Sequence, residues 1–206
     1  MAEEYPHLYS PELMPMNLVS RHGGQIVSVV GAFPIAFYLQ SSRPSTVLTI
    51  GGIGGVSTAP THRGRGLMRA GLQAAFERMR DHGYAFSVLW GDRQRYGHFG
   101  YEDAGTEIRG IANRRCFSPV NTAPILQWRP ARPEIAADMG LLAQLDSLRS
   151  ICPYRPAEKW SILLRRMGFN AFMATSESDP ATQAFLVGFQ CPRGRVRPRI
   201  VELGGD

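Results

Sequence analysis

The residues best placed to do chemistry lie in one short segment: Val56, Ser57, Thr58, Ala59, Pro60, Thr61, His62, Arg63, Gly64, Arg65, Gly66, Leu67 and Met68. The chain passes there from the end of an apolar stretch, through a loop of glycines and arginines, into a segment of helical periodicity. That junction suits a phosphate. The first N–H groups of a helix have no partner within it, and the helix dipole adds partial positive charge at the same end. Gly64 and Gly66 let the main chain come close to a ligand, and Arg63 and Arg65 supply full charges.

Two familiar nucleotide signatures do not fit. The segment contains no G-x-x-x-x-G-K-[ST], and the third glycine of G-x-G-x-x-G falls on Arg69. Ser57 stands in Gly55-x-Ser57-x-Ala59, close to a nucleophile elbow. Pro60 and a loop follow where the helix of an elbow must begin, which argues against a hydrolase.

What the segment does resemble is the acetyl-CoA loop of the GNAT acetyltransferases, R-x-x-G-x-G/A after a V-x-T-x-P strand end. Val56, Thr58, Pro60, Arg63 and Gly66 match, and Met68 stands where Gly or Ala is usual. Downstream, Tyr96-Gly97-His98-Phe99-Gly100-Tyr101 is similar to the Y-x-x-x-G-F/Y element of the same family, and within it the Eis-like subgroup resembles this chain most.

The resemblance implies acetyl-CoA as donor and an amine as acceptor, from a small molecule, a peptide or a lysine side chain. It implies that the backbone of Val56 and Thr58, with Ser57 between them, holds the pantetheine arm, and that N–H groups from Arg63 through Gly64, Arg65, Gly66 and Leu67 to Met68 hold the pyrophosphate. Tyr96 becomes the acid that protonates the departing thiolate, and the Val56 region polarises the carbonyl. For a base, His98, Glu102 and Asp103 are near in sequence and none stands out. The alternative is a non-catalytic acyl-CoA-binding or regulatory remnant of the family.

These groups need a frame. Asn17 to Arg21, Gln25 to Phe33 and Ile35 to Leu39 read as strands of a meander turning at Gly23-Gly24. Thr46 to Thr58 continues as a strand whose middle, Gly51-Gly52-Ile53-Gly54-Gly55, marks a bulge or a close backbone approach. From Gly66 to His82, Met68, Leu72, Ala75, Phe76 and Met79 recur at helical steps. Tyr84 to Trp90 reads as a strand parallel to its predecessor, Asp92 as the cap of a short helix, and Tyr101 to Ala112 as another strand.

The expected organisation is an acetyl-CoA-binding domain over residues 1–112, a basic linker over 113–133 and a partial second GNAT-like segment over 134–206. The last holds helices at Glu134 to Leu148 and Pro156 to Arg166 and strands at Phe169 to Ala174 and Gln183 to Gly188, with no clear pattern from Cys191 onward. The fold class is α/β, a GNAT-like mixed central sheet flanked by helices. The chain begins almost at the meander, without the strand and two helices that usually open the family's domain. Residues 131–190, in the order helix, helix, strand, strand, resemble the opening of a second repeat, and are accordingly expected either to start a truncated tandem or to pack where those elements would lie, with residues 134–166 then near Tyr96.

Composition is consistent with this and narrows the classes. In 206 residues, 44% hydrophobic and 19% charged residues suit a packed core. Cys116, Cys152 and Cys191 are too few and too scattered for a disulfide framework or a metal site. No secretory signal is visible, so the expected compartment is the cytoplasm, and Pro34 with its neighbouring Gly and Gln residues argues against a membrane span between Arg21 and Arg43. The net charge of +6 fits a polyanionic ligand, whether a nucleotide cofactor or a nucleic acid. Nucleic-acid binding through Arg114, Arg115, Arg129 and Arg132 ranks last, because no aromatic and basic interleaving accompanies them.

Overall fold

The computed structural model describes residues 9–39, 46–104, 125–149, 151–190 and 199–205. Elements follow in the order β1 (Asn17–His22), β2 (Gln25–Leu39), β3 (Thr46–Thr58), α1 (Leu67–Asp81), β4 (Ser87–Leu89), α2 (Arg93–Tyr96), β5 (Leu126–Pro130), α3 (Ala136–Ser147), β6 (Ile151–Pro153), α4 (Ala157–Leu164), β7 (Phe169–Ser176), β8 (Gln183–Phe189) and β9 (Arg199–Gly205). They form two sheets. The first is mixed, with β1, β2 and β3 antiparallel, β4 parallel to β3, and β6 paired with β2. The second, β5-β7-β8-β9, is antiparallel throughout. None of the described helices is long and apolar enough to cross a membrane.

The meander forms as expected, with Gly23 and Gly24 both at positive φ in the turn. Its second and third stretches are one strand, however, because β2 runs unbroken through Pro34. Pro34 faces Gly51 of β3 on one side. On the other, β1 stops at Gly31 and β6 starts only at Phe37, so the missing proline N–H interrupts no ladder there.

Helix α1 packs on the first sheet through Leu72, Ala75 and Met79, all buried, against Val30, Ala32 and Ile53. Burying a leucine of this kind contributes about 2 kcal/mol. The close approach expected at the glycines is real: a Cβ at Gly51 would overlap the Met79 side chain, and one at Gly52 would overlap Ile35.

The strand expected over Tyr84 to Trp90 is confined to Ser87–Leu89. Residues 101–104 are not strand, and the rest of the one expected from Tyr101 to Ala112 lies outside the described residues. Leu126–Pro130, within the stretch expected to be linker, is a strand paired with β7, and the patternless tail contains β9. Neither carries a strong period: β5 alternates apolar with polar over five residues, and a bulge breaks the register of β9.

The second sheet packs α3 and α4 over a core of Met139, Leu142, Leu145, Trp160, Leu164, Met173, Phe185 and Val187. Of residues 134–166, only β6 joins the first sheet, at the end of β2 that pairs with Val47 rather than with Ser57. A cavity of about 280 Å³ lies at that junction, between Tyr38 of β2, Cys152 of β6 and the side chains of Asp146 and Arg155.

Two aspartates pin α3. Asp138 accepts both Nη atoms of Arg129, at 3.0 and 2.9 Å, and the Arg132 backbone N–H at 2.9 Å. Asp146, fully buried, accepts Arg155 Nε at 2.9 Å and also meets Arg149, while the Arg155 fork reaches on to both Glu202 oxygens of β9 at 2.7 Å. A buried carboxylate is tolerable only when it is paired in this way.

Candidate active site

Strands β3 and β4 pair only from Gly51/Ser87 to Ile53/Leu89. Beyond that point β3 runs on to Thr58 bonded to β2 alone, so its other edge meets no strand among the described residues. A bulge begins this free stretch. Val29 pairs with Ser57 and Gly31 with Gly54, so Gly55 and Val56 together oppose the single residue Val30, with Gly55 at φ 61°. The bulge expected from the glycine run is therefore at its C-terminal end, where it turns β3 away from β4. Ser28 of β2 fixes the strand end, its Oγ donating to the Ser57 carbonyl at 3.0 Å and lying 3.0 Å from Thr58 Oγ1.

From Thr58 the chain makes a short 3-10 turn at Pro60–His62 and enters α1 at Gly66. Gly64 and Gly66 have φ 74° and 75°, and a Cβ on either would meet nothing within 4 Å. The first bond of the helix is from Ala70 N to Gly66 O. Among the described residues, the backbone N–H groups from Gly64 through Arg69 donate to no acceptor. No side chain caps the helix, and its first turn holds no acidic residue. An exposed run of donors at a helix N-terminus, with Arg63, Arg65 and Arg69 around it, is a ready anion cradle.

Two side chains hold this loop in roles that the sequence did not show, Arg63 being expected there only as a charge and His22 not at all. Arg63 Nε donates to the Thr58 carbonyl at 3.4 Å, and His22 of the β1–β2 hairpin meets His62, Nδ1 to Nε2, at 3.3 Å. The role of Arg63 as a strut was hidden by its charge, and His22 is 40 residues from its partner.

Tyr96 ends α2, which Asp92 caps as expected by accepting the Gln94 N–H at 2.8 Å. Its ring is buried in the core that α1 makes with the first sheet, a cluster in which Val56 and Met68 also pack. The structure thus brings together three of the expected site residues from the strand end, the helix start and the downstream element. Gly91 allows the arrangement, since a Cβ there would overlap the Tyr96 ring. Tyr101 meets that ring edge-on at 6.2 Å, and its own hydroxyl lies 2.5 Å from Ser87 Oγ. Burial pushes the Tyr101 phenol above its usual range, with the Ser87 bond opposing. The Tyr96 hydroxyl has no hydrogen-bond partner among the described residues.

The base candidates lie outside this cluster. His98 is exposed, and Glu102 and Asp103 sit in solvent on Arg93, at 2.9 and 3.8 Å. Trp90 follows the last residue of β4, where the two strands part, and is 90% exposed. Arg129 and Arg132 are turned to Asp138, while Arg114 and Arg115 lie outside the described residues. Cys152 is buried and unpaired; Cys116 and Cys191 lie outside the described residues.

Comparison with known proteins agrees with the fold. The chain resembles a GCN5-related N-acetyltransferase from Kribbella flavida, at 20% identity over 93% of this chain and 47% of that one, with a TM-score of 0.58. It also resembles a probable N-acyltransferase from Enterococcus faecalis, at 17% identity over 94% and 49%, with a TM-score of 0.63. A GCN5-related N-acetyltransferase from Anabaena variabilis gives 18%, 91%, 48% and 0.59 for the same quantities. The chain therefore spans about half the length of these solved structures. At such identities the likeness speaks for the fold. No curated protein matches the chain in sequence. The family model of the acetyltransferase (GNAT) domain matches residues 2–104, half of the chain and all of the strand edge, loop and Tyr96 cluster, so this chain belongs to the GNAT acetyltransferase family.

Proposed function

We propose that the chain is an acetyl-CoA-dependent N-acetyltransferase of the Eis-like subgroup, acting by direct transfer in a ternary complex. One observation carries the reading: among the described residues, the edge of β3 that meets no strand leads through the Pro60–His62 turn into the run of N–H groups from Gly64 to Arg69 that meet no acceptor. An extended pantetheine arm would lie along the first and a pyrophosphate in the second. The glycines at 64 and 66 leave the space that such a ligand needs, and the first turn of α1 holds no acidic residue to oppose it.

Bound acetyl-CoA supplies the thioester. The amine nitrogen bonds to the thioester carbonyl carbon, the C–S bond breaks, and the amine proton passes to solvent. Val56, at the bulge, offers its backbone N–H to the carbonyl oxygen as charge grows there. Tyr96 donates its hydroxyl proton to the departing sulfur and regains one from solvent, which has taken the amine's. The backbone of Val56, Ser57 and Thr58 and the loop residues Arg63, Gly64, Arg65, Gly66, Leu67 and Met68 bind the donor. The acceptor is a primary amine of a small molecule or a lysine side chain, and a cytoplasmic location, resting on the sequence alone, belongs to the same proposal. So does the division into units over 1–112 and 134–206, with β5 added to the second.

Calorimetric titration of acetyl-CoA into the chain tests the reading, followed by thiol release with a panel of amines. Binding at micromolar concentration and thiol release that depends on the amine support it. A folded chain that does not bind acetyl-CoA overturns it.

A further inference from the structure

A second tyrosine reaches the bulge of β3, from the segment ahead of β1. Tyr9 is half-buried, and a Cβ added at Gly55 would overlap its hydroxyl. Gly55 opens the bulge and stands directly before Val56. Covalent geometry therefore puts Tyr9 Oη within about 6 Å of the Val56 nitrogen. The backbone that carries the tyrosine is fixed by the 3-10 turn that follows it, over Pro11–Met16. The Ser10 carbonyl accepts Leu13 N at 3.0 Å and Met14 N at 3.1 Å, and Asn17 Nδ2 donates to the Met14 carbonyl at 3.3 Å. Arg78 of α1 donates to the Pro15 carbonyl at 2.9 Å. Asn17 in turn pairs with Gly31, which pairs with Gly54, so β1 starts in the row next to the bulge.

We propose that the Tyr9 hydroxyl binds the acceptor amine. The inference rests on the acetyl-transfer reading and supplies a group to hold the nucleophile, for which His98, Glu102 and Asp103 are too exposed. With the pantetheine arm extended along β3 and the thioester oxygen on the Val56 N–H, the thioester lies near the plane of the sheet. A nucleophile approaches a carbonyl carbon from above or below the carbonyl plane, and the Cβ direction of a strand residue also leaves the sheet plane. The Tyr9 hydroxyl, standing where the Gly55 Cβ would be, is therefore off that plane, where an attacking nitrogen comes in. A phenol oxygen has lone pairs to accept an amine N–H, and holding that N–H aims the nitrogen lone pair at the carbon. A phenol is also uncharged at neutral pH, so it holds the neutral amine that can attack without stabilising the ammonium as a carboxylate would. No proton passes through Tyr9, and the amine's still goes to solvent.

Tyr9→Phe keeps the ring and removes the hydroxyl, and steady-state thiol release with a panel of primary amines is the test. The expected result is a fall of about tenfold in kcat/KM for the amine, the effect of one hydrogen bond. The acetyl-CoA Kd and the melting temperature should not change. Thiol release to water, which uses no amine, should fall in Tyr96→Phe and not in Tyr9→Phe, because an acid at the sulfur serves any nucleophile. Amine turnover that Tyr9→Phe leaves unaltered, or an equal fall in release to water, overturns this inference and leaves acetyl transfer standing. A folded chain that does not bind acetyl-CoA, or that binds it and serves no amine, overturns both.

Discussion

Gly66 combines two demands that a substitution can separate. Its φ of 75° costs any other residue about 1 to 2 kcal/mol, yet a Cβ there meets no neighbour within 4 Å. Gly66→Ala should therefore weaken acetyl-CoA binding by less than about tenfold through strain alone. Gly66→Glu adds a carboxylate to the anion cradle and should weaken it by more than about a hundredfold; equal losses for the two variants, measured by calorimetry, would exclude the electrostatic account. Tyr96 offers the complementary case. Its hydroxyl bonds to nothing among the described residues, so Tyr96→Phe should change stability by less than about 0.5 kcal/mol. If that hydroxyl is the acid, turnover falls by about a hundredfold while the acetyl-CoA Kd stays the same.

At the scale of elements, Gly51 sets how closely α1 lies on β3. A side chain there would overlap Met79, so Gly51→Val should cost about 2 kcal/mol by overpacking. Because α1 carries the anion cradle at its N-terminus, the same variant should also lose acetyl-CoA affinity, a link that denaturant melts and titration can check together. Helix α3 carries the pH dependence. The Arg129 guanidinium, helped by the Arg132 N–H and opposed by burial, holds the Asp138 carboxyl below the usual carboxylate range. The folded value is thus lower than the unfolded one, near about 3.9. The stability it confers is complete above that value and is lost as pH falls through the lower folded value. Urea melts between about pH 5 and pH 2 should show Asp138→Asn losing less stability with acid than the native chain does.

For the molecule as a whole, two cores meet through β6, which hydrogen-bonds to β2 over Phe37–Leu39, and through Tyr154 N to Ala36 O at 2.6 Å. That bonding ties the second sheet's helices to the longest strand of the first. Heating should give one transition with a calorimetric to van't Hoff ratio of about 1, and two resolved transitions would mean that the proposed units unfold separately. Acetyl-CoA at about a hundred times its Kd should stabilise that single transition by about 2.7 kcal/mol. Arg155→Ala, which strips the buried Asp146 of its fork and frees Glu202, should lower it by about 3 kcal/mol.

Much of the site was legible in the chain because its determinants are local. A helix needs partners three and four residues apart, and Met68, Leu72, Ala75, Phe76 and Met79 provide them. A left-handed turn needs glycine at one position, and Gly64 and Gly66 provide that. Asp92 as a cap and Gly23-Gly24 as a hairpin follow from the same short range. What only the tertiary structure decided depends on residues far apart. The parting of β3 and β4 after Ile53 and Leu89 is set by a pairing register across an intervening helix. Whether Pro34 breaks a strand depended on whether its other side had a partner, and β1 and β6 leave it a gap. The burial of Asp146 is possible only because Arg155 and, beyond it, Glu202 of β9 arrive from elsewhere in the chain. Short-range periodicity carries no record of such meetings, since a side chain's burial and its partners come from the packing of whole elements and not from the residues beside it.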